Sequence, residues 1–229
     1  MMILAINTAL PVMSVALSSD SDIVYETSET APGSHCEKII IVIHDLLKRC
    51  SAHIKQVGCI ACAVGPGSYT GLRIGIAAAM GLALPNRTPT MAISTLEAVA
   101  YPYLNGDLPV CPVIDAKMGQ IYTALYGENG AEIKVLKEER AVAPEIFLPS
   151  LKGEILFAGE DVRAFKQLII TQAAISARFL ENSYCVASAA AKIAAGRIEK
   201  SGETCYTELI PRYLRKSAAE IKREKSGSN

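Results

Sequence analysis

Gly65-Pro66-Gly67-Ser68-Tyr69-Thr70-Gly71-Leu72-Arg73 links two apolar segments of the chain. Before it, residues 58–64 (GCIACAV) are short, apolar and begin at a glycine, the pattern of a buried strand. Glycine takes positive φ freely and proline favours turns, so residues 65–67 read as a tight bend. Ser68 or Thr70 is suited to cap a helix that follows. From Ile74 to Asn86 no charged residue occurs. A helix that is apolar all round needs cover on every side. One chain of this size is expected to leave part of it bare, which points to a partner protein.

The chain has 229 residues, half of them apolar, enough for one domain or two small lobes. Its 23 basic and 23 acidic side chains cancel. Nucleic-acid binders usually carry a basic excess, so strong autonomous binding of RNA or DNA is not expected. Basic residues do gather late, at Arg212, Arg215, Lys216, Lys222, Arg223 and Lys225, and read as a solvated tail before a binding arm. The seven cysteines are scattered. Cys59 and Cys62 form a CxxC, but on a strand their side chains point to opposite faces, which argues against a shared metal. Small buried thiols in a reducing cytoplasm are the expectation. The N-terminal apolar run lacks a basic segment and is broken by Asn7 and Pro11, so it reads as a strand, and no run is long enough to span a membrane.

Strands are expected at residues 3–7, 12–18 and 23–28, then a helix from Ser34 to about Cys50. The strand at 58–64 and its apolar helix follow, then a short strand at 90–93. Ser94 with Glu97 three residues on suggests a capping box. The order restarts with strands at 110–115, 120–126 and 132–137. Placing Asn7 over Asp115 also aligns Ile6 with Ile114, Ala16 with Ala124 and Leu17 with Leu125. A duplicated βββα lobe is therefore expected. The turn cluster Asn105-Gly106-Asp107 divides the chain into lobes at 1–105 and 106–229. Beyond Ala143 only a strand at 154–158 and a helix at 187–200 stand out. Two such lobes make the actin-like ATPase and sugar-kinase architecture, in which a carboxylate ending the first strand helps hold a nucleotide's magnesium. That position is Asn7 here, and an amide lacks the charge a hard cation prefers.

Several constellations fail on spacing. Residues 65–73 do not fit GxxxxGK[ST], and Thr70 breaks GxGxxG. A helix N-terminus can bind an anion, but a capped strand-to-helix turn is the simpler reading. His35, His44 and His53 are nine residues apart and cannot share a metal on a helix. In the first helix Ile39, Val42, Ile43, Leu46, Leu47 and Cys50 make one core-facing stripe. Ile40 and Ile41 lie outside it beside His44, so a second covered face is implied, internal or on another subunit. Small residues at Gly71, Gly75 and Ala79, and at Ala77 and Gly81, favour a close helix pair.

Taken in order, Ile3-Leu4-Ala5-Ile6-Asn7-Thr8, the run from Gly65 to Gly75, Ser94-Thr95-Leu96-Glu97, Val113-Ile114-Asp115-Ala116-Lys117-Met118-Gly119-Gln120-Ile121-Tyr122 and Pro211-Arg212-Tyr213-Leu214-Arg215 resemble the TsaB family of bacterial tRNA threonylcarbamoyladenosine biosynthesis proteins. The resemblance spans nearly the whole chain. It implies an α/β, two-lobed actin-like ATPase fold (ASKHA, ribonuclease H-like) with duplicated βββαβα lobes, and a subunit that is not itself the catalyst. In that family a related protein, TsaD, carries the HxxxH metal site. It transfers threonylcarbamoyl from an adenylate to the adenosine beside the anticodon of tRNAs reading ANN codons. TsaB-type chains pair with TsaD through two N-lobe helices, an ATPase, TsaE, joins them, and tRNA is met through the complex. Self-association through the same face is also implied. The family usually has aspartate where this chain has Asn7.

These points set the expectations. Helices 37–50 and 70–84 should offer Ile40, Ile41, His44, Ile74, Ala78 and Gly81 to a TsaD-type subunit, and a charge at Ala78 should abolish pairing yet leave the monomer folded. Gly65, Pro66, Gly67, Ser68, Tyr69, Thr70, Gly71 and Arg73 form the signature loop. No catalytic residue, metal or cofactor of its own is expected, with ATP or ADP at the subunit junction left open. The rivals are a stand-alone ATPase or kinase of the same fold and a glycoprotease-like peptidase.

Overall fold

The computed structural model describes residues 1–20, 22–30, 35–104, 106–129, 132–172, 175–180, 186–202 and 207–215. The first sheet is built from β1 (Met2–Asn7), β2 (Val12–Ser19), β3 (Asp22–Thr30), β4 (Val57–Gly65) and β5 (Thr90–Ser94) in the order β3-β2-β1-β4-β5. Its helices are α1 (His35–Arg49), α2 (Tyr69–Ala83) and α3 (Thr95–Ala100). The second sheet contains β6 (Val110–Lys117), β7 (Gln120–Asn129), β8 (Glu132–Val142), β9 (Glu154–Ala158) and β10 (Ser176–Leu180), ordered β10-β9-β6-β7-β8. Around it lie α4 (Pro144–Phe147) and α5 (Val162–Gln172), and α6 (Val186–Ser201) returns to the first sheet. The two orders are the same motif repeated: an antiparallel three-strand meander, then two parallel strands reached through helices. β1 pairs antiparallel with β2 and parallel with β4, and β6 does the same with β7 and β9. The duplication expected from the Asn7–Asp115 overlay is present.

Alternation along the strands sorts the cores. Leu4, Ile6, Val15, Leu17, Ile60 and Cys62 face one side of the first sheet, where α1 and α2 cover them. Ile3, Ala5, Ala16, Cys59 and Ala61 face the other side. There α3 and α6 are sandwiched between the sheets, joined by Val110, Ile114 and Tyr126 of the second sheet. α4 and α5 close the far side over Cys111, Val113, Ile155 and Phe157. Cys59 and Cys62 thus enter different cores. Burial pushes both thiols up to about 12.

Three expectations need correction. The strands divide between residues 94 and 110, but α6 and residues 207–215, assigned to the second lobe, pack on the first sheet. The reason is hydrophobic: Ala187, Ala190, Ala191 and Ala194 are small enough to let α6 lie flat over β1 and β2. Beyond Ala143 the chain also forms α5 and β10, and in α5 Val162, Phe165, Leu168 and Ile169 repeat at helical spacing. Finally, Ser94 caps α3 through the Glu97 N–H, but the Glu97 carboxylate turns to Arg197 at 2.7 and 2.8 Å instead of closing a capping box. Ser34, Asn105, Lys216, Lys222, Arg223 and Lys225 lie outside the described residues.

Candidate functional site

The signature loop is built around the β1–β2 turn. Ser68 caps α2 by accepting from Gly71 N at 3.2 Å, and its own N–H donates to Ala9 O at 2.7 Å. Thr70 is exposed and Pro66 buried. The glycines mark close approaches. A Cβ on Gly67 would stand 2.4 Å from Ala9 O, one on Gly71 2.0 Å from Thr8 O, and one on Gly75 2.2 Å from Thr8 Oγ1. Thr8 Oγ1 donates to Gly71 O at 2.7 Å, locking the turn to the helix. The row Gly71–Gly75 therefore receives Thr8, not the neighbouring helix as the spacing suggested.

Gly65, at φ 124°, meets the late segment 207–215: its Cβ would fall 2.5 Å from Arg212 O. Arg212 N donates to Val64 O at 2.7 Å. Tyr69 stacks on Tyr213 with ring centroids 4.4 Å apart, and Arg73 lies over Tyr69 at 4.1 Å. Arg73 Nε donates to Tyr213 OH at 3.0 Å and Nη2 to Tyr69 OH at 2.5 Å. Tyr213 gave no local signal as a partner of residues 65–73, because the contact spans 140 positions.

The outer faces of α1 and α2, which pack against each other, carry several of the exposed apolar groups. Ile40 is 51% and Ile41 59% exposed, and His44 is exposed beside them. On α2, Ala77 and Gly81 are exposed, Met80 is 53% exposed and Ile74 is half-buried, and Leu84, which caps its C-terminus, is 80% exposed. A Cβ at Gly81 meets nothing within 4 Å, so no internal contact requires that glycine. Ala78 is a correction: it is 9% exposed and belongs to the core under α2. The outward row is Ala77-Met80-Gly81-Leu84, one residue away in helical phase. Met80 and Leu84 escaped the sequence reading, although they continue the i, i+3, i+7 row from Ala77.

The ends of β1 and β6 test whether the chain suits a nucleotide's magnesium. Asn7 is 1% exposed and internally used. Its Nδ2 donates to Val12 O and Ser14 Oγ at 3.4 Å, and its Oδ1 accepts from Ala9 N at 3.1 Å. At the end of β6, burial pushes the Asp115 carboxyl up, but bonds from Lys117 outweigh it and hold the group below its ordinary value. Both oxygens are engaged, Oδ1 by Lys117 N at 2.7 Å and Oδ2 by Lys117 Nζ at 2.6 Å. A neutral amide and a carboxylate already neutralised by its own lysine do not fit a hard cation. Among the described residues no three His, Cys, Asp or Glu side chains stand together. His44 is on the outer face of α1, and His53 caps the turn at Ile54–Gln56 by accepting from Lys55 N at 3.2 Å.

The repeated sheet order and the helices packed between the sheets define a two-lobed protein of the actin-like ATPase fold. Residues 26–223 match the family described as TsaD: tRNA N6-adenosine threonylcarbamoyltransferase. Among curated relatives, the tRNA threonylcarbamoyladenosine biosynthesis protein TsaB of Escherichia coli (strain K12) is 37% identical, over 73% of this chain and 75% of its own. The TsaB of Bacillus subtilis (strain 168) is 34% identical over 74% and 75%. The solved structure of YeaZ from Pseudomonas aeruginosa superposes with a TM-score of 0.75 at 26% identity, covering 93% of this chain and 99% of that one. The chain belongs to the TsaB family of tRNA threonylcarbamoyladenosine biosynthesis proteins.

Proposed function

We propose that this chain is the non-catalytic subunit of the machinery that makes threonylcarbamoyladenosine in tRNAs reading ANN codons. It binds and activates a TsaD-type transferase through the outer faces of α1 and α2. The observation that carries this is the bare apolar surface of Ile40, Ile41, Met80 and Leu84 on two adjacent helices. Covering a large half-exposed side chain contributes on the order of 1 kcal/mol before association costs, so four anchors with smaller neighbours give a reversible but specific joint. The exposed Ala77 and Gly81 leave room for a partner helix to come close. In this reading TsaE joins the assembled pair, tRNA is met through the complex, ATP or ADP sits only at the subunit junction, and the chain works in the cytoplasm. No helix among the described residues is long and apolar enough to cross a membrane. Without the transferase, the same face pairs with a second copy.

The Asn7 and Asp115 geometry favours neither a stand-alone ATPase nor a kinase, and the described residues offer no nucleophile–base set for a peptidase. The direct test is calorimetric titration of the chain into the TsaD-type subunit. Binding is expected for the native chain, with a loss of at least about tenfold for Ile41→Glu, equal to about 1.4 kcal/mol. Equal affinity of the two would refute the assigned face.

A further inference from the structure

Residues 207–215 run from one lobe to the other, touching the loop on the β1–β2 turn and the end of β6. On the first lobe they pair with the outer edge of β5: Thr207 N donates to Thr90 O at 2.8 Å, Thr90 Oγ1 to Thr207 O at 2.9 Å, and Ala92 N to Thr207 Oγ1 at 2.6 Å. They then cross the end of β4, where Arg212 N donates to Val64 O and the Arg212 carbonyl takes the space a side chain on Gly65 would need. Tyr213 stacks on Tyr69, whose loop sits on the β1–β2 turn.

The contacts to the second lobe come from the same few residues. Arg212 Nη1 stands 2.9 Å from Glu139 Oε2 as an ion pair without hydrogen-bond geometry, and the Glu139 side chain is only 7% exposed. The other oxygen, Oε1, accepts from Tyr126 OH at 2.7 Å and from Ser94 Oγ, so Glu139 is gripped by both lobes. Arg215 Nη1 donates to Lys117 O at 2.9 Å, at the end of β6 where it turns into β7. A buried carboxylate persists when it is paired and hydrogen-bonded, and removing the partner is costly.

We propose that residues 207–215 are a built-in clasp that holds the two lobes together, with Arg212–Glu139 as its fastening. In the actin-like class a nucleotide and its cation bridge the lobes. Here the residues that would hold them do not fit, and the chain's own segment bridges the lobes instead. Lobe closure is therefore set by the protein and is independent of nucleotide. The clasp does not depend on which partner the α1–α2 face receives, so its test uses the isolated chain.

Nitroxide labels carried on ketone amino acids at positions 55 and 152, both exposed and one in each lobe, report the interlobe distance by pulsed EPR without touching native cysteines. The native chain is expected to give one narrow distribution that millimolar Mg-ATP leaves unchanged. Arg212→Ala should broaden it, and Arg212→Lys should restore most of the narrow population. Hydrogen exchange supplies a readout that needs no variant: the Thr207 and Arg212 amides of the native chain should be protected, and Arg212→Ala should speed their exchange by about tenfold or more while β2 stays protected. An unchanged distribution in Arg212→Ala, narrowing of the native distribution by Mg-ATP, or unprotected Thr207 and Arg212 amides would overturn the clasp.

Discussion

Thr8 and Gly71 hold each other by two oppositely directed constraints. The Thr8 hydroxyl donates to the Gly71 carbonyl at 2.7 Å, while the Thr8 carbonyl occupies the space 2.0 Å from where a Cβ on Gly71 would lie. The contact pins the first turn of α2 to the β1–β2 turn and so fixes the outer face of that helix. Gly71→Ala should force main chain against main chain and cost about 3 kcal/mol or more, at the upper end for overpacked cores. Gly81→Ala, whose new methyl meets nothing, should be neutral or slightly stabilising through helix propensity. Urea unfolding of the two variants measures the contrast.

Adjacent alanines on α2 should respond in opposite ways to the same change. Ala78 is packed in the core and Ala77 is exposed. Ala78→Asp buries an unpaired charge and should destabilise the chain by about 3 kcal/mol or more. Ala77→Asp should cost under about 1 kcal/mol, the range of a surface helix position, yet weaken the proposed pairing with a TsaD-type subunit. Denaturation midpoints compared with binding titrations separate the two effects.

The buried thiols give the fold an alkaline weakness. Burial raises Cys59, Cys62 and Cys111 from 9.0 to about 12, with a bond to Thr123 partly opposing the shift at Cys111. In the unfolded chain these thiols release their protons near their ordinary value, while the folded chain retains them. Their contribution to stability is intact below pH 9, falls as pH rises from 9 towards 12, and each thiol adds a slope of about 1.4 kcal/mol per pH unit. Cys62→Ala should lose stability less steeply than the native chain between pH 9 and pH 11, by that one slope. Parallel urea titrations across this range check it, and equal slopes would contradict the assignment.

The first lobe was legible because its signals are local. Alternation along residues 3–18, the stripe Ile39-Val42-Ile43-Leu46-Leu47 and the capped glycine turn at 65–71 each declare their element within a few residues. The exposed pair Ile40 and Ile41 was legible for the same reason. Phase was harder on α2: its residues are apolar on every side, so nothing in the sequence says that Ala78 points in and Ala77 out. The roles of Gly71 and Gly75 depend on Thr8, more than sixty positions earlier, and the clasp of Arg212 on Glu139 joins positions that no spacing rule connects. α5 and β10 were obscured for another reason. Their apolar residues are interleaved with Arg163, Lys166 and Arg178, which suit one solvated face and blur the boundary of a short element.

The most direct test is reconstituted threonylcarbamoylation of a tRNA reading ANN codons by the TsaD-type and TsaE-type subunits, with this chain supplied as the native form, as Ile41→Glu, or omitted. The account predicts modification with the native chain, little or none without it, and a loss of at least about tenfold with Ile41→Glu, the factor set by the expected loss of affinity, while that variant keeps its circular dichroism and unfolding midpoint. Full modification in the absence of the chain, or undiminished modification with a folded Ile41→Glu, would contradict it.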